Sequence, residues 1–284
     1  MFTVSLIGAP SVRNLEPALA EGLRNAWGGG DVIWLAPDEA AEFQVPALPD
    51  NRWSVWRDCQ DMRVDLAIHR TARRRKKILL ADMDSTLIRQ ECIDELADEA
   101  GVGKQVADIT ARAMNGELEF EGALRERVKL LRGLGTEVIA RVLSSRITLM
   151  PGAKALVATM KANGGHAVLV SGGFTAFTGH VADLLGFDEH RANTLLDRNG
   201  VLTGEVAEPI LGRDANVASL HLSAARLRLA ADDLTPLGDG ANDLGMLGLA
   251  GLGVALHAKP SVAAQCEVRI NHGGTTALVF LQGY

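Results

Sequence analysis

In the larger, later part of the chain, apolar positions fall in short unbroken runs that stop at a polar group and a turn. "KILLAD", "HAVLVS", "LTPLGD" and "GVALH" are such runs. Between them the spacing predicts helices at about 152–162, 175–185, 214–230 and 241–250. Strands without polar alternation, separated by helices, predict a parallel sheet covered on both faces. Pro236 writes the third strand weakly, because proline brings no N–H to a ladder. Asp82, Ser171 and Asp239 end three of these runs. Ligands gather beyond the carboxyl ends of an open parallel sheet, so the three are expected to converge although they are far apart in sequence.

Two other segments depart from this alternation. Residues 1–72 predict a small separate α/β domain: "FTVSLIG" as a strand, "NLEPALAEGLRNAW" as a helix stopped by Gly28, Gly29 and Gly30, and "DVIWLA" and "MRVDLAIH" as further strands. Pro37, Pro46 and Pro49 break up the stretch between the last two, where Trp53 and Trp56 pack the unit's edge or its contact with the rest. The second segment, about 91–148, interrupts the 73–284 domain. It places Ile93, Leu96, Ala97 and Ala100, and then Phe120, Leu124, Arg127, Val128 and Leu131, at helical spacing. It is too long for an ordinary connection and too apolar for a disordered loop, and predicts a helical cap over the strand ends.

Composition narrows the class. With 284 residues and a formal charge of −6, the chain can bury a sizeable core and is mildly acidic, which argues against a dedicated nucleic-acid binder. The basic run "RTARRRKK" has no interleaved aromatics and leads straight into a strand, so it is expected as a solvated linker. The three cysteines share no short spacing, which supports neither a disulfide framework nor a zinc site. No stretch approaches the roughly 20 apolar residues of a membrane span, and the N-terminus lacks the basic flank of a signal peptide. The expectation is a cytoplasmic protein with no membrane partner; the oligomeric state is left open, a homodimer included.

Three segments carry candidate chemistry. In "ILLADMDSTLI", Asp82 and Asp84 stand at i and i+2 of an extended segment, on one side and about 7 Å apart at their Cα atoms. Two carboxylates at the end of a buried strand are costly unless something offsets them, and a divalent cation with oxygen ligands does so. "VSGGF" ends a strand in a hydroxyl and two glycines, whose backbone N–H groups suit a phosphate oxygen. "LGDGANDLGML" packs Asp239, Asn242 and Asp243 around glycines at another strand end.

Asp82, Asp84 and Thr86, then Ser171, then Gly238, Asp239, Gly240, Asn242 and Asp243 together resemble the signature of the haloacid dehalogenase-like hydrolases. "DMDSTLIRQECIDELA", "ITARAMNGELEFEGALRERVKLL", "LMPG", "LTGEV" and "HAKP" are similar to the branch of that family that hydrolyses phosphoserine. The resemblance covers most of residues 78–275. It implies a Rossmann-like three-layer core with a helical cap, and hydrolysis of O-phospho-L-serine through an aspartyl-phosphate, the last step of serine biosynthesis. It implies Asp82 as nucleophile and Asp84 as general acid and base. Mg²⁺ would be bound by Asp82, Asp239 and the backbone carbonyl of Asp84, with Asp243 tuning its surroundings. Ser171 and Gly172 would hold phosphate oxygens. Glu91 would meet the substrate ammonium and Arg127 its carboxylate, with Met114, Phe120, Gly173 and Asn242 completing the pocket.

One position departs from the pattern: Asn216 stands where the family has a phosphate-binding lysine. An amide donates a hydrogen bond but supplies no charge. Asn216 is therefore expected at the phosphate, with Arg213 one residue that could supply the charge; Lys259 is set aside because "HAKP" already matches the family pattern. The departure keeps two further readings open: a phosphoserine- or phosphate-binding protein with little turnover, and phosphotransfer to another small alcohol.

Overall fold

The computed structural model describes residues 1–114 and 117–284, the side chains of Met114 and Arg213 excepted. The chain begins with β1 (Phe2–Gly8), α1 (Pro17–Ala26), β2 (Ile33–Ala36), β3 (Ala40–Val45), α2 (Arg52–Asp61) and β4 (Val64–Arg70). Their strands form an antiparallel sheet in the order β2-β3-β1-β4. The proline-broken stretch thus holds a strand and a helix. Pro37 lies in the turn before β3, and Pro46 and Pro49 lie between β3 and α2, so each falls where no ladder N–H is needed.

The larger sheet is parallel throughout. It is built from β5 (Ile78–Ala81), β6 (His166–Phe174), β7 (Glu189–Asn193), β10 (Leu234–Gly238), β11 (Val254–Leu256) and β12 (Val268–Ile270), in the order β12-β11-β10-β5-β6-β7. Along β5 the side chains alternate between two cores: Leu79 and Ala81 face one, Ile78 and Leu80 the other. The first core includes α7 (Ala153–Ala162), α8 (Thr175–Leu185) and α12 (Ala277–Leu281). The second includes α9 (Arg213–Leu227) and α10 (Leu244–Leu249). Burial on both faces is why the strand is written as an unbroken apolar run, each large side chain contributing about 1.5–3 kcal/mol.

Pro236 does sit in a central strand. The ladder from β10 to β11 starts only at Leu237, and beside the proline the Thr235 hydroxyl donates to Leu252 C=O at 2.8 Å. The remaining elements are β8 (Leu195–Arg198), β9 (Val201–Val206) and α11 (Pro260–Ala263). β8 and β9 form a hairpin around Asn199 and Gly200, both with positive φ, the two-residue turn favoured by Asn-Gly.

The insertion after β5 contains α3 (Cys92–Glu99), α4 (Gly103–Met114), α5 (Phe120–Lys129) and α6 (Glu137–Ser145). Its two connections to the sheet are zipped together: Ile88 bridges Leu149, Arg89 N–H donates to Thr148 C=O, and Met150 N–H donates to Leu87 C=O. The cap therefore leaves and rejoins the sheet at one place. Among the described residues, no helix is long and apolar enough to cross a membrane.

The N-terminal sheet has its own core around Phe43, yet Ile7 and Ala67 belong to the main one. Arg269 in β12 lays its guanidinium 4.2 Å from the Trp53 ring centroid and 5.1 Å from that of Trp56, so the two tryptophans mark the contact with the rest. The basic run is tied down on both sides: Arg74 pairs with Glu42, and Arg75 lies over Tyr284.

At the centre of this contact is Asp65, fully buried, whose carboxylate accepts the backbone N–H groups of Asn271, His272 and Gly273. Burial raises its carboxyl pKa, and the three donors oppose that rise. Asp65→Ala would leave three N–H groups without their acceptor, and is expected to lower stability by about 3 kcal/mol. Urea unfolding followed by tryptophan fluorescence measures this; a loss below about 1 kcal/mol would show that these bonds do not hold the N-terminal sheet in place.

Candidate active site

β5 is followed by β6 and β7 on one side of the sheet, and the chain then crosses to β10, β11 and β12 on the other. A crevice opens at such a reversal, beyond the carboxyl ends of the strands. The turns after β5 and β10 and the far end of β6 meet there beneath the cap, around a cavity of about 850 Å³. Asp82, Asp84, Glu91, Phe120, Arg127, Ser171, Gly172, Gly173, Asp239 and Asn242 all line it. The Met114 side chain lies outside the described residues.

The extended segment stops at Ala81, so Asp82 and Asp84 stand in the turn beyond it and not in the strand. Asp82 donates its backbone N–H to Leu237 C=O at 2.9 Å, which binds the turn to β10. Its carboxylate gathers with those of Asp239 and Asp243, each offering an oxygen within 4.8 Å of the others. Asp84 Oδ1 instead accepts the Cys92 N–H at the start of α3. Its Oδ2 lies beside Gly173, so close that a Cβ on that glycine would come within 2.7 Å of it. Ser85, with φ +55, directs its hydroxyl to Glu91 Oε1 at 2.7 Å.

The loop after β10 is organised by Asp243, which is completely buried. Its Oδ2 accepts the N–H groups of Asp239 and Gly240, and its Oδ1 accepts the side-chain amides of Asn216 and Asn242. Gly238 lies against the same carboxylate, where a Cβ would approach to 2.4 Å. Thr86, also fully buried, donates to Asp239 Oδ1 at 3.0 Å and so joins the first turn to the last.

The far end of β6 is held from the side. Ser171 Oγ accepts the Gly173 N–H. Asn193 at the end of β7 donates to the carbonyls of Gly172 and Leu211, while its Oδ1 accepts the Leu211 N–H. From the cap, the Phe120 ring rests on this strand end and would stand 3.0 Å from a Cβ on Gly172. Arg127 is half-buried and gives Nε to Ala123 C=O; among the described residues it forms no ion pair. Its charge is felt by Asp94, and the charges of Asp94, Glu91 and Asp84 act on it in turn.

Two positions differ from the sequence-based picture. Asn216 is buried and bonded to Asp243 and is not among the residues lining the cavity, whereas Lys259 is. Asn193 and Thr86 also position the site. Asn193 had no signal beyond a polar residue ending a half-polar run, while Thr86 lay inside the first motif.

Burial, reinforced by neighbouring carboxylates, raises the acids of this site. Asp82 is held well above the ordinary range by burial and then by Asp243, Asp239 and Asp84. Asp84 is raised to about 7 by burial and Glu91, Asp243 to about 7 and Asp239 to about 6, chiefly by burial. An all-oxygen cluster of buried acids under mutual repulsion suits a hard divalent cation, which relieves that repulsion.

Similarity to known proteins agrees with this geometry. A model of the haloacid dehalogenase-like hydrolases matches residues 79–248. A phosphoserine phosphatase of Streptomyces coelicolor is 37% identical over 287 residues, covering 99% of this chain and 70% of its own. The fold is similar to that of a family hydrolase from Salmonella enterica serovar Typhi, with a TM-score of 0.89 at 31% identity over 100% of this chain and 99% of that one. It is also similar to a substrate-bound phosphoserine phosphatase complex, with a TM-score of 0.65 at 38% identity over 69% of this chain and 93% of that one.

The acid cluster makes a prediction about stability. A carboxyl whose pKa is raised on folding supports the fold below its unfolded value and opposes it as pH rises through the folded one, here about 6 to 7. A bound cation removes that penalty where the acids are ionised and must displace protons where they are not. The rise in Tm on adding Mg²⁺ is therefore expected to be several degrees larger at about pH 8 than at about pH 5.5. Equal rises in differential scanning fluorimetry at the two pH values would separate cation binding from these acids.

Proposed function

The chain belongs to the haloacid dehalogenase-like hydrolases, and on that basis we propose that it hydrolyses O-phospho-L-serine to L-serine and phosphate, the last step of serine biosynthesis. The observation that carries this reading is the single cavity in which Asp82, Asp84, Ser171 and Asp239 meet Glu91 and Arg127 of the cap region. One end offers carboxylates and backbone donors for phosphoryl chemistry. The other offers an acid and a guanidinium that match the ammonium and carboxylate of an amino acid. The similarity to phosphoserine phosphatases, one of them substrate-bound, supports the same substrate.

In this reading an Asp82 carboxylate oxygen attacks phosphorus and the bond from phosphorus to the serine oxygen breaks, leaving an aspartyl-phosphate on Asp82. Asp84 gives its proton to the departing alkoxide. Its carboxyl, raised to about 7, keeps that proton available near neutrality. A water then attacks phosphorus and passes a proton back to Asp84; the bond to Asp82 breaks, phosphate leaves and the nucleophile is restored. Ser171 and the N–H group of Gly172 orient the phosphoryl oxygens. Asp82, Asp239 and the Asp84 backbone carbonyl, with Asp243 behind them, would hold Mg²⁺, which would supply positive charge for the phosphoryl group. Phe120 and Asn242 line the substrate's path, with the Phe120 ring against Gly172.

Phosphate release from L-phosphoserine, measured with and without Mg²⁺, tests the reaction directly. Asp82→Asn keeps the shape and removes the nucleophile, and should leave less than about 1% of the activity with an unchanged far-UV spectrum. Retention of a tenth of the activity or more would move the nucleophile elsewhere.

Arg127→Ala should raise the KM for phosphoserine far more than that for phosphoethanolamine, which has no carboxylate, since a buried charged contact is worth about 2–5 kcal/mol. Equal losses on the two substrates would remove Arg127 from carboxylate recognition.

A further inference from the structure

We propose that Lys259 is the cation that faces the substrate phosphate from the sheet side of this cavity. The proposal deepens the phosphoserine reading above and rests on it. The cavity is lined by the carboxylates of Asp82, Asp84, Glu91, Asp94 and Asp239. Among the described residues that line it, the cations are Arg127, in the cap, and Lys259. Arg127 stands on the cap, bonded to Ala123 C=O and nearest in effect to Asp94 and then Glu91. Lys259 acts on Asp239, the acid of the phosphoryl end. Asn216 is buried against Asp243, does not line the cavity, and as an amide brings no charge to it.

Topology explains why a lysine so far along the chain arrives here. β11 runs parallel to β10, with Leu237 beside Val254 and Gly238 beside Ala255, so the turn after β11 rises next to the loop of Asp239. That turn is sharply fixed. His257 adopts φ +47, uncommon for a residue with a side chain, and is held by its N–H to Ile270 C=O at 2.7 Å and by Nε2 against Gly273 C=O at 2.8 Å. Two residues later Lys259 stands exposed at the cavity rim, with Ser261 and Val262 beside it.

The charge balance requires such a group. A phosphate monoester brings nearly two negative charges at neutral pH into a cavity already lined by acids. A divalent cation offsets part of that charge, and Asp82 must still approach phosphorus as an anion. A compact ammonium on a flexible stem can follow the phosphoryl group from ester to aspartyl-phosphate to free phosphate.

The test is Lys259→Met, which keeps the length and removes the charge, beside Lys259→Arg, which keeps the charge. Both are surface changes, and equal Tm values would establish intact folding. With saturating Mg²⁺, calorimetry should show Lys259→Met binding inorganic phosphate about tenfold or more weakly than the parent, with the gap narrowing as salt is raised. Turnover of phosphoserine should fall about tenfold or more in the same variant and stay within about threefold of the parent in Lys259→Arg. Unchanged phosphate affinity in Lys259→Met, or an arginine variant as weak as the methionine one, overturns the assignment. A parent that binds phosphate through Lys259 yet releases none from phosphoserine would instead overturn the substrate reading and leave the assignment standing.

Discussion

The arrangement of this site depends on one buried carboxylate. Asp243 collects two backbone N–H groups and two side-chain amides, and the loop that presents Asp239 is folded around it. Four donors offset part of the desolvation that raises its carboxyl to about 7. They also leave the loop little freedom, and Gly238 packs so tightly on the carboxylate that no side chain fits there. From this fixed loop Thr86 and the Asp82 N–H extend the constraint to the turn after β5. The end of β6 at Gly172 is held separately, by Asn193, which ties it to Leu211. Fixed groups at the ends of three strands are what positioning a reacting group requires.

Above these strand ends the cap is attached differently. Its two connections are zipped at Ile88 and Leu149, and Phe120 is the side chain that touches down on Gly172 and near Gly212. The cap is also tied to the β8–β9 hairpin: Gly133 and Thr136 donate their N–H groups to the Leu202 and Gly200 carbonyls, and Gly135 bridges Val201.

Much of this was legible in the sequence, for a physical reason. Strands buried on both faces must be written as unbroken apolar runs, so β5, β6, β10 and β11 were readable and their ends marked Asp82, Ser171 and Asp239. Edge elements carry no such signature. β7 is half polar because one side of it meets solvent, and the hairpin of β8 and β9 escaped although Asn199-Gly200 announced its turn. The fate of Asn216 and Lys259 was not legible at all. Whether a residue on α9 faces the cavity or the carboxylate beneath it depends on helix rotation, and the reach of Lys259 depends on the unusual backbone of His257. Pattern fixes which elements exist more reliably than it fixes where a given side chain points.

The bonds around Asp65 have a consequence for biosynthesis. The acid lies on an early strand, and the N–H groups it awaits belong to residues 271–273. Lys76 likewise awaits Gln282, and Arg75 the carbonyl of Gly283. During synthesis the sheet of Asp65 is made with a buried acid lacking partners and with Ile7 and Ala67 uncovered, and the segment that satisfies the acid follows 206 residues later. Contacts so distant in sequence form late and make folding slow. A chain interrupted just before Asn271 would therefore carry every residue that lines the acidic cavity but leave the N-terminal sheet without a seat, and quality control would meet it as an exposed apolar surface.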